Sequence, residues 1–82
     1  MYHTLDIFEN KNKEERIKWL VRCRRTALKC GLTCRCINVE GDTPELEMWG
    51  TKAQFLMYYL KTLKFDAEIK DGIKRWFEFL FS

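Results

Sequence analysis

The hydrophobic residues of this chain recur with a period that changes several times between two and about three and a half, and these changes constrain the fold more than any other feature. A period of two places alternate side chains on one face of a strand, and a period near 3.6 places them on one face of a helix. The changes divide the 82 residues into strands and helices with short polar breaks between them. The sequence contains no repeat and no linker-like segment. We therefore expect residues 1–82 to form one domain.

The predicted order is strand, helix, strand, strand, helix, strand and a final helix. Strands are predicted at residues 2–8, 32–39, 45–49 and 65–70, and helices at 13–30, after Thr51, and at 73–81. Asn12 and Thr51 are predicted N-caps, and Gly31 is predicted to end the first helix. The first six elements resemble the order of the ferredoxin-like split βαβ unit. The expected fold class is therefore α+β: a ferredoxin-like βαββαβ unit with a four-stranded antiparallel sheet and an added C-terminal amphipathic helix.

Each predicted helix has a stripe of apolar residues at helical spacing, which we expect to face the core. The first stripe comprises Ile17, Leu20, Val21 and Leu28, with Ala27 alongside; the second comprises Ala53, Leu56, Met57, Leu60 and Leu63; the third comprises Ile73, Trp76, Phe77, Leu80 and Phe81. Arg24 falls inside the first stripe, where a buried unpaired guanidinium is costly. Arg24 is therefore expected either to extend along its aliphatic stem to water or to face a partner.

A row of cations follows the first helix. Lys18, Arg22, Arg25 and Lys29 recur at i, i+4, i+7 and i+11, opposite Ile17 and Leu20. We name these four residues the α1 basic stripe. The segment from Lys11 to Arg35 holds nine Lys or Arg and two Glu, a net charge of +7. Such a stripe is either the ordinary solvated side of an amphipathic helix or a contact surface for an acidic protein or for nucleic-acid phosphates.

Two residue types that carry chemistry in other proteins do not form a recognisable motif here. Cys23, Cys30, Cys34 and Cys36 lack the Cys-x2-Cys spacing of a zinc site, so we expect reduced thiols that pack as small hydrophobic residues, with no metal. His3 is the sole histidine. Nucleophilic catalysis needs a nucleophile, a base and an orienting group, and the sequence offers no such set. We therefore predict no catalytic residues and no cofactor.

Two further surfaces are candidates for contacts. The outer face of the sheet is expected to display Tyr2, Thr4, Arg35, Ile37, Trp49 and Lys70, but acidic residues on the same face argue against an RNA platform. The apolar face of the C-terminal helix is too large to leave in water. It is expected to fold back over this open sheet face or to dock on a second subunit or another protein. Phe79 lies off its stripe, and with Trp76 it is a candidate partner contact.

The predicted function is that of a small non-enzymatic binding or regulatory protein that docks on another protein. Accessory factors of phages and bacteria that inhibit or modulate a host enzyme are of this type. The alternative is a nucleic-acid-binding module that uses the first helix. The predicted partner-binding residues are Lys18, Arg22, Arg24, Arg25, Lys29, Trp76 and Phe79. No apolar run is long enough for a membrane span and no signal peptide is visible, so the sequence predicts a cytoplasmic protein, with a homodimer as a further expectation.

Overall fold

The computed structural model describes residues 1–5, 12–41 and 44–81, which form an α+β fold. An antiparallel sheet of three strands carries three helices on one face in this part of the chain. The elements are β1 (Tyr2–Leu5), α1 (Lys13–Lys29), β2 (Thr33–Ile37), β3 (Glu45–Trp49), α2 (Lys52–Thr62) and α3 (Ala67–Phe81). The predicted α+β class is thus confirmed.

The central strand of the sheet is β3, which pairs with β1 on one side and β2 on the other. Its register aligns Met48 with His3 and with Cys34, so these three side chains point to the same face. That face is covered by the helices, and the predicted β2–β3 hairpin is confirmed. β2 ends at Ile37 because Asn38 adopts a left-handed conformation with φ of 55°. The predicted continuation of β1 to Phe8 lies outside the described residues.

Helix α1 begins and ends where its capping residues predict. The Asn12 side chain accepts a hydrogen bond of 2.9 Å from the Glu15 backbone N–H. At the other end, Gly31 has a φ of 82°, a conformation that favours glycine. The backbone N–H groups of Gly31 and Leu32 donate to Leu28 and Ala27 at 3.1 Å each, which completes a Schellman motif.

The buried face of α1 differs from the predicted one. Its buried residues are Trp19, Leu20, Cys23 and Ala27, whereas Val21 and Leu28 are exposed. The buried face is therefore rotated by roughly a quarter-turn from the predicted stripe. The reason is that Trp19 packs on Phe65, with ring centroids 5.8 Å apart, and brings more apolar surface inward than Val21 would. The placement of Arg24 within a buried stripe is wrong, since this residue is exposed.

Helix α2 also buries a face that the sequence did not single out. A complete capping box starts it: the Gln54 N–H donates to Thr51 Oγ1 at 3.2 Å, and the Thr51 N–H donates to Gln54 Oε1 at 2.8 Å. Gln54 Nε2 also donates to the Gly31 carbonyl at 3.3 Å, which ties the start of α2 to the end of α1. Phe55, Tyr58 and Thr62 are the buried residues of the helix. The predicted inward orientation of its leucines is wrong.

Helix α3 includes most of the residues that were predicted to form the fourth strand. Residues 67–70 are helical, and the Lys70 N–H donates to the Asp66 carbonyl at 2.8 Å. The predicted strand at 65–70 is therefore wrong, and the four-stranded ferredoxin-like topology is not present in the described residues. Ile69, Ile73 and Trp76 recur at i, i+4 and i+7, and all three pack at the core. The helical period therefore runs through the predicted break at Asp71.

The position of α3 leaves the other face of the sheet open. Trp76 Nε1 donates to the Thr4 carbonyl at 3.1 Å, and the Trp76 ring lies edge-on to His3 and Tyr58. Those contacts hold α3 on the same side of the sheet as α1 and α2. The expectation that α3 folds over the open sheet face, against Trp49, is wrong.

Candidate functional site

The open sheet face carries a polar cluster centred on Glu47. Arg35 donates to Glu47 Oε1 through Nε at 2.9 Å and through Nη2 at 2.6 Å, and the Tyr2 hydroxyl donates to Oε2 at 2.5 Å. Hydrogen bonding by Tyr2, and then by Arg35, holds the pKa of Glu47 below its usual range, against a smaller opposing effect of burial. Trp49 flanks the cluster, 5.2 Å from the Tyr2 ring. The predicted placement on this face is confirmed for Tyr2, Thr4, Arg35, Ile37 and Trp49, and it is wrong for Lys70, which lies on α3.

This cluster satisfies its own charges. Glu47 is only 7% exposed although none of the described helices covers its face of the sheet, because its neighbours surround the carboxylate. Both oxygens of the carboxylate accept hydrogen bonds from within the chain. The Glu47 carboxylate is therefore satisfied within the chain, while the Arg35 side chain stays 68% exposed.

The α1 basic stripe lies in solvent along its whole length. Lys18, Arg22, Arg25 and Lys29 are all exposed, on the side of α1 opposite Leu20 and Ala27. Arg22 is the most constrained of the four. Its guanidinium carbon lies 4.6 Å from the centre of the Trp19 ring and 5.0 Å from that of Phe65. The stripe therefore borders the segment that follows α2.

The solvent side of α2 carries a second apolar stripe. Leu56, Met57, Leu60 and Leu63 are 48%, 51%, 54% and 43% exposed, and Ala53 is exposed beside them. We name these five residues the α2 outer face. Ala53, Leu56, Leu60 and Leu63 are spaced by three, four and three residues, which is the spacing of a seam between two packed helices. The described residues place no large side chain over this seam.

The α1 basic stripe and the α2 outer face lie side by side. Helices α1 and α2 run antiparallel: the end of α1 contacts Gln54 at the start of α2, and Trp19 contacts Phe65 beyond the end of α2. Lys61 lies close enough to Cys30 for its charge to lower the pKa of that thiol, although burial has the larger, opposite effect. The layer of helices thus presents a row of cations beside a row of apolar side chains.

The cysteine thiols lie on the inner side of the helices and the sheet. Burial raises the pKa of Cys23 to about 11, while the nearby Tyr58 hydroxyl has a smaller effect in the opposite direction. Burial also raises the pKa of Cys34 and, well above its usual range, that of Tyr58. Within residues 1–5, 12–41 and 44–81, no three His, Cys, Asp or Glu side chains come together as a metal site. The four thiols are free in this structure.

The remaining predicted partner contacts are separated from one another. Arg24 is exposed on α1 at a position beside β2, where the Cys34 thiol donates to the Arg24 carbonyl at 3.9 Å. Trp76 is half-buried and makes contacts within its own chain, and Phe79 is 81% exposed near the end of α3. The structure therefore brings the α1 basic stripe together with the α2 outer face, but not with Trp76 or Phe79.

The sequence pattern identified the residues of the α2 outer face but assigned them the wrong role. These residues were predicted to be core because they recur at helical spacing. The signal that would have corrected this is the presence of Phe55, Tyr58 and Tyr59 on the other side of the same helix.

No protein family, characterised protein or solved structure matches this chain. Among the described helices, none has the length and apolar character needed to cross a bilayer.

Proposed function

We propose that this chain is a small non-enzymatic regulatory protein that acts by docking on another protein. The α2 outer face is the observation that carries the proposal. It places four large apolar side chains, each about half exposed, on one side of a helix in a domain of 82 residues. Apolar patches of this kind on small proteins mark interaction sites, because leaving them in water is unfavourable.

The inner face of α2 supports the same proposal. Phe55 and Tyr58 are fully buried, and the capping box and the Gln54 bond to Gly31 fix the helix in place. The outer leucines are therefore not needed to hold α2 on the domain. Their apolar character then has its use in an intermolecular contact, where a helix-in-groove complex draws on residues at this spacing.

The alternative function is nucleic-acid binding through the α1 basic stripe. Four exposed cations in line favour it, because each can neutralise a phosphate. The adjoining α2 outer face favours a protein instead, since an apolar row gains nothing from phosphates. On the described part of the open sheet face, Arg35 is paired with Glu47, which neutralises its charge there.

The test is an affinity capture that compares three proteins of matched design. The first is the wild type, the second carries Leu56→Gln and Leu60→Gln, and the third carries Val21→Gln and Leu28→Gln on α1. Val21 and Leu28 are also exposed apolar residues, so the third protein controls for general loss of surface hydrophobicity. We expect a protein retained by the wild type and by the α1 control to be lost from the α2 variant.

Two results would contradict the proposal. One is a set of retained proteins that does not change with the α2 substitutions while the variant stays folded. The other is retention of random-sequence DNA or RNA that weakens steeply with salt and depends on Arg22 and Arg25, which would favour the nucleic-acid alternative.

A further inference from the structure

We infer that the partner segment is an acidic amphipathic helix that packs along the α2 outer face with its acidic side over the α1 basic stripe. This inference rests on the proposed function and names the chemistry of the partner. Three observations carry it: the charge around α2, the length of its apolar seam, and the position of the α1 basic stripe beside that seam.

The charge carried by α2 itself is of one sign. From Thr51 to Phe65 the chain has Lys52, Lys61 and Lys64 and no Asp or Glu. The neighbouring α1 basic stripe adds four more cations. An interface is favoured when potentials of opposite sign meet, so the apolar partner surface is expected to have carboxylates at its edges.

The dimensions fit a single helix. Ala53 and Leu63 are ten residues apart on α2, so the seam is about 15 Å long at 1.5 Å per residue. A partner helix of about three turns, with apolar residues at i, i+3, i+4 and i+7, matches this length and spacing. One flank of the partner helix then lies over α1, where its acidic side chains contact Arg22 and Arg25.

A second copy of the chain fits this surface less well. A twofold interface places the same patch of both copies in contact. The lysines of two α2 helices would then approach one another, and like charges across an interface are unfavourable. A homodimer through the α2 outer face is therefore an outcome of the test and not the inference itself.

An anionic membrane surface also fits less well. The exposed leucines lie on α2 and the four cations of the stripe lie on α1, so apolar and cationic side chains form two separate rows. A helix with one acidic flank and one apolar flank complements the side-by-side arrangement directly. Membrane binding is thus a second outcome of the test.

The experiment is a selection from a displayed library of randomised peptides of about four helical turns, with the folded wild-type protein as bait and the Leu56→Gln, Leu60→Gln variant as counter-bait. We expect enriched peptides to have apolar residues at helical spacing and Asp or Glu along one flank. The dissociation constant of one enriched peptide is then measured by fluorescence anisotropy at two salt concentrations.

Charge-reversal variants locate the acidic flank. The Arg22→Glu, Arg25→Glu variant is expected to bind the peptide at least about tenfold more weakly, a loss of ~1.4 kcal/mol. Its binding should also depend less on salt than that of the wild type. The matched control is Lys74→Glu, Arg75→Glu, which reverses two exposed cations of α3 outside the α1 basic stripe and should leave the affinity unchanged.

Each other outcome overturns the inference in a recognisable way. Neutral or basic peptides, or no enriched peptide, would show that the partner is not an acidic helix, while a captured protein that depends on Leu56 and Leu60 would leave the proposed function standing. A dimer in sedimentation that Leu60→Gln dissociates would identify a second copy as the occupant. Binding to phosphatidylserine vesicles that Leu60→Gln abolishes would identify a membrane surface.

Discussion

The two faces of α2 are both rich in large apolar side chains, but they differ in what surrounds them. On the inner face, Phe55 lies edge-on to His3, at 4.9 Å between ring centroids, and Tyr58 lies edge-on to Trp76 at 6.3 Å. On the outer face, Leu60 is 54% exposed. Helical spacing of apolar residues therefore identifies an apolar helix face, but it does not show whether that face is covered by the rest of the chain or by another molecule. The inner face stabilises the domain, and the outer face is left for another molecule.

The largest expected effect comes from the inner face. Replacing Phe55 by Ala removes a fully buried ring from the contacts with His3 and Trp76. Truncation of a buried aromatic residue usually lowers the free energy of unfolding by about 3–5 kcal/mol. Chemical denaturation followed by circular dichroism should show this loss, and a loss under ~1 kcal/mol would contradict the assignment of the inner face to the core.

A second expected effect is alkaline destabilisation through Cys23, which lies against Tyr58 beneath the inner face. Because burial raises the pKa of Cys23 from 9.0 to about 11, the unfolded chain loses this proton before the folded chain does. Its contribution to stability is therefore complete below pH 9 and falls as the pH rises toward 11. The linkage amounts to ~2–3 kcal/mol.

Denaturation at several pH values between 8 and about 11 measures that linkage. The Cys23→Ala variant lacks the titrating thiol, so its stability should fall less steeply over this interval. Tyr58 remains in both proteins. Because its pKa is also raised, it lowers the free energy of unfolding of both proteins at higher pH. Equal slopes for the two proteins would show that the Cys23 thiol is not buried in the folded state.

A smaller effect is expected at the boundary between α1 and α2. Arg22 lies over the rings of Trp19 and Phe65, whereas the cation–π contacts found among the described residues do not include Arg25. Cation–π contacts at exposed sites contribute about 0.5–1 kcal/mol. Arg22→Gln should therefore lower the free energy of unfolding by that amount, and Arg25→Gln should change it less. A larger effect for Arg25 would contradict this orientation of the stripe.

The smallest expected effect comes from the α2 outer face. The double substitution of Leu56 and Leu60 by Gln should change stability by no more than about 0.5 kcal/mol per residue, since exposed positions usually fall in that range. The same variant should bind less of a hydrophobic dye than the wild type. A strong destabilisation would show that the outer leucines hold the domain together, and the comparison between the two faces of α2 would then fail.

Local signals made part of this fold predictable from sequence. Asn12, Gly31 and Thr51 each act within a few residues of a helix end, and each has the capping role that its side chain or backbone freedom predicts. The hairpin of β2 and β3 was likewise visible because alternation identifies strand faces without knowledge of the rest of the chain.

The errors arose where two patterns of similar strength compete. Phe65, Ala67 and Ile69 alternate like a strand, but Ile69, Ile73 and Trp76 also fit a helix, and short apolar runs do not distinguish the two. On α2, aromatic residues on one side compete with leucines on the other. The aromatic residues are the buried set here, and they bury the larger area. The position of the α1 basic stripe could be predicted because a row of cations has no competing pattern, but its neighbour could not.

Gln54 orders the surface formed by α1 and α2, and this order affects the rate at which a partner associates. Its side chain accepts from the Thr51 N–H at 2.8 Å and donates to the Gly31 carbonyl at 3.3 Å, so one residue fixes the start of α2 against the end of α1. A Cβ atom at Gly31 would lie 2.9 Å from Gln54 Nε2, so a side chain at position 31 would displace the Gln54 amide from this hydrogen bond. The backbone of this surface is therefore ordered before any partner arrives, so the entropy lost by the chain on binding is that of its side chains. We expect a partner to associate in a single kinetic step, with a rate set by diffusion and by attraction to the cations of α1.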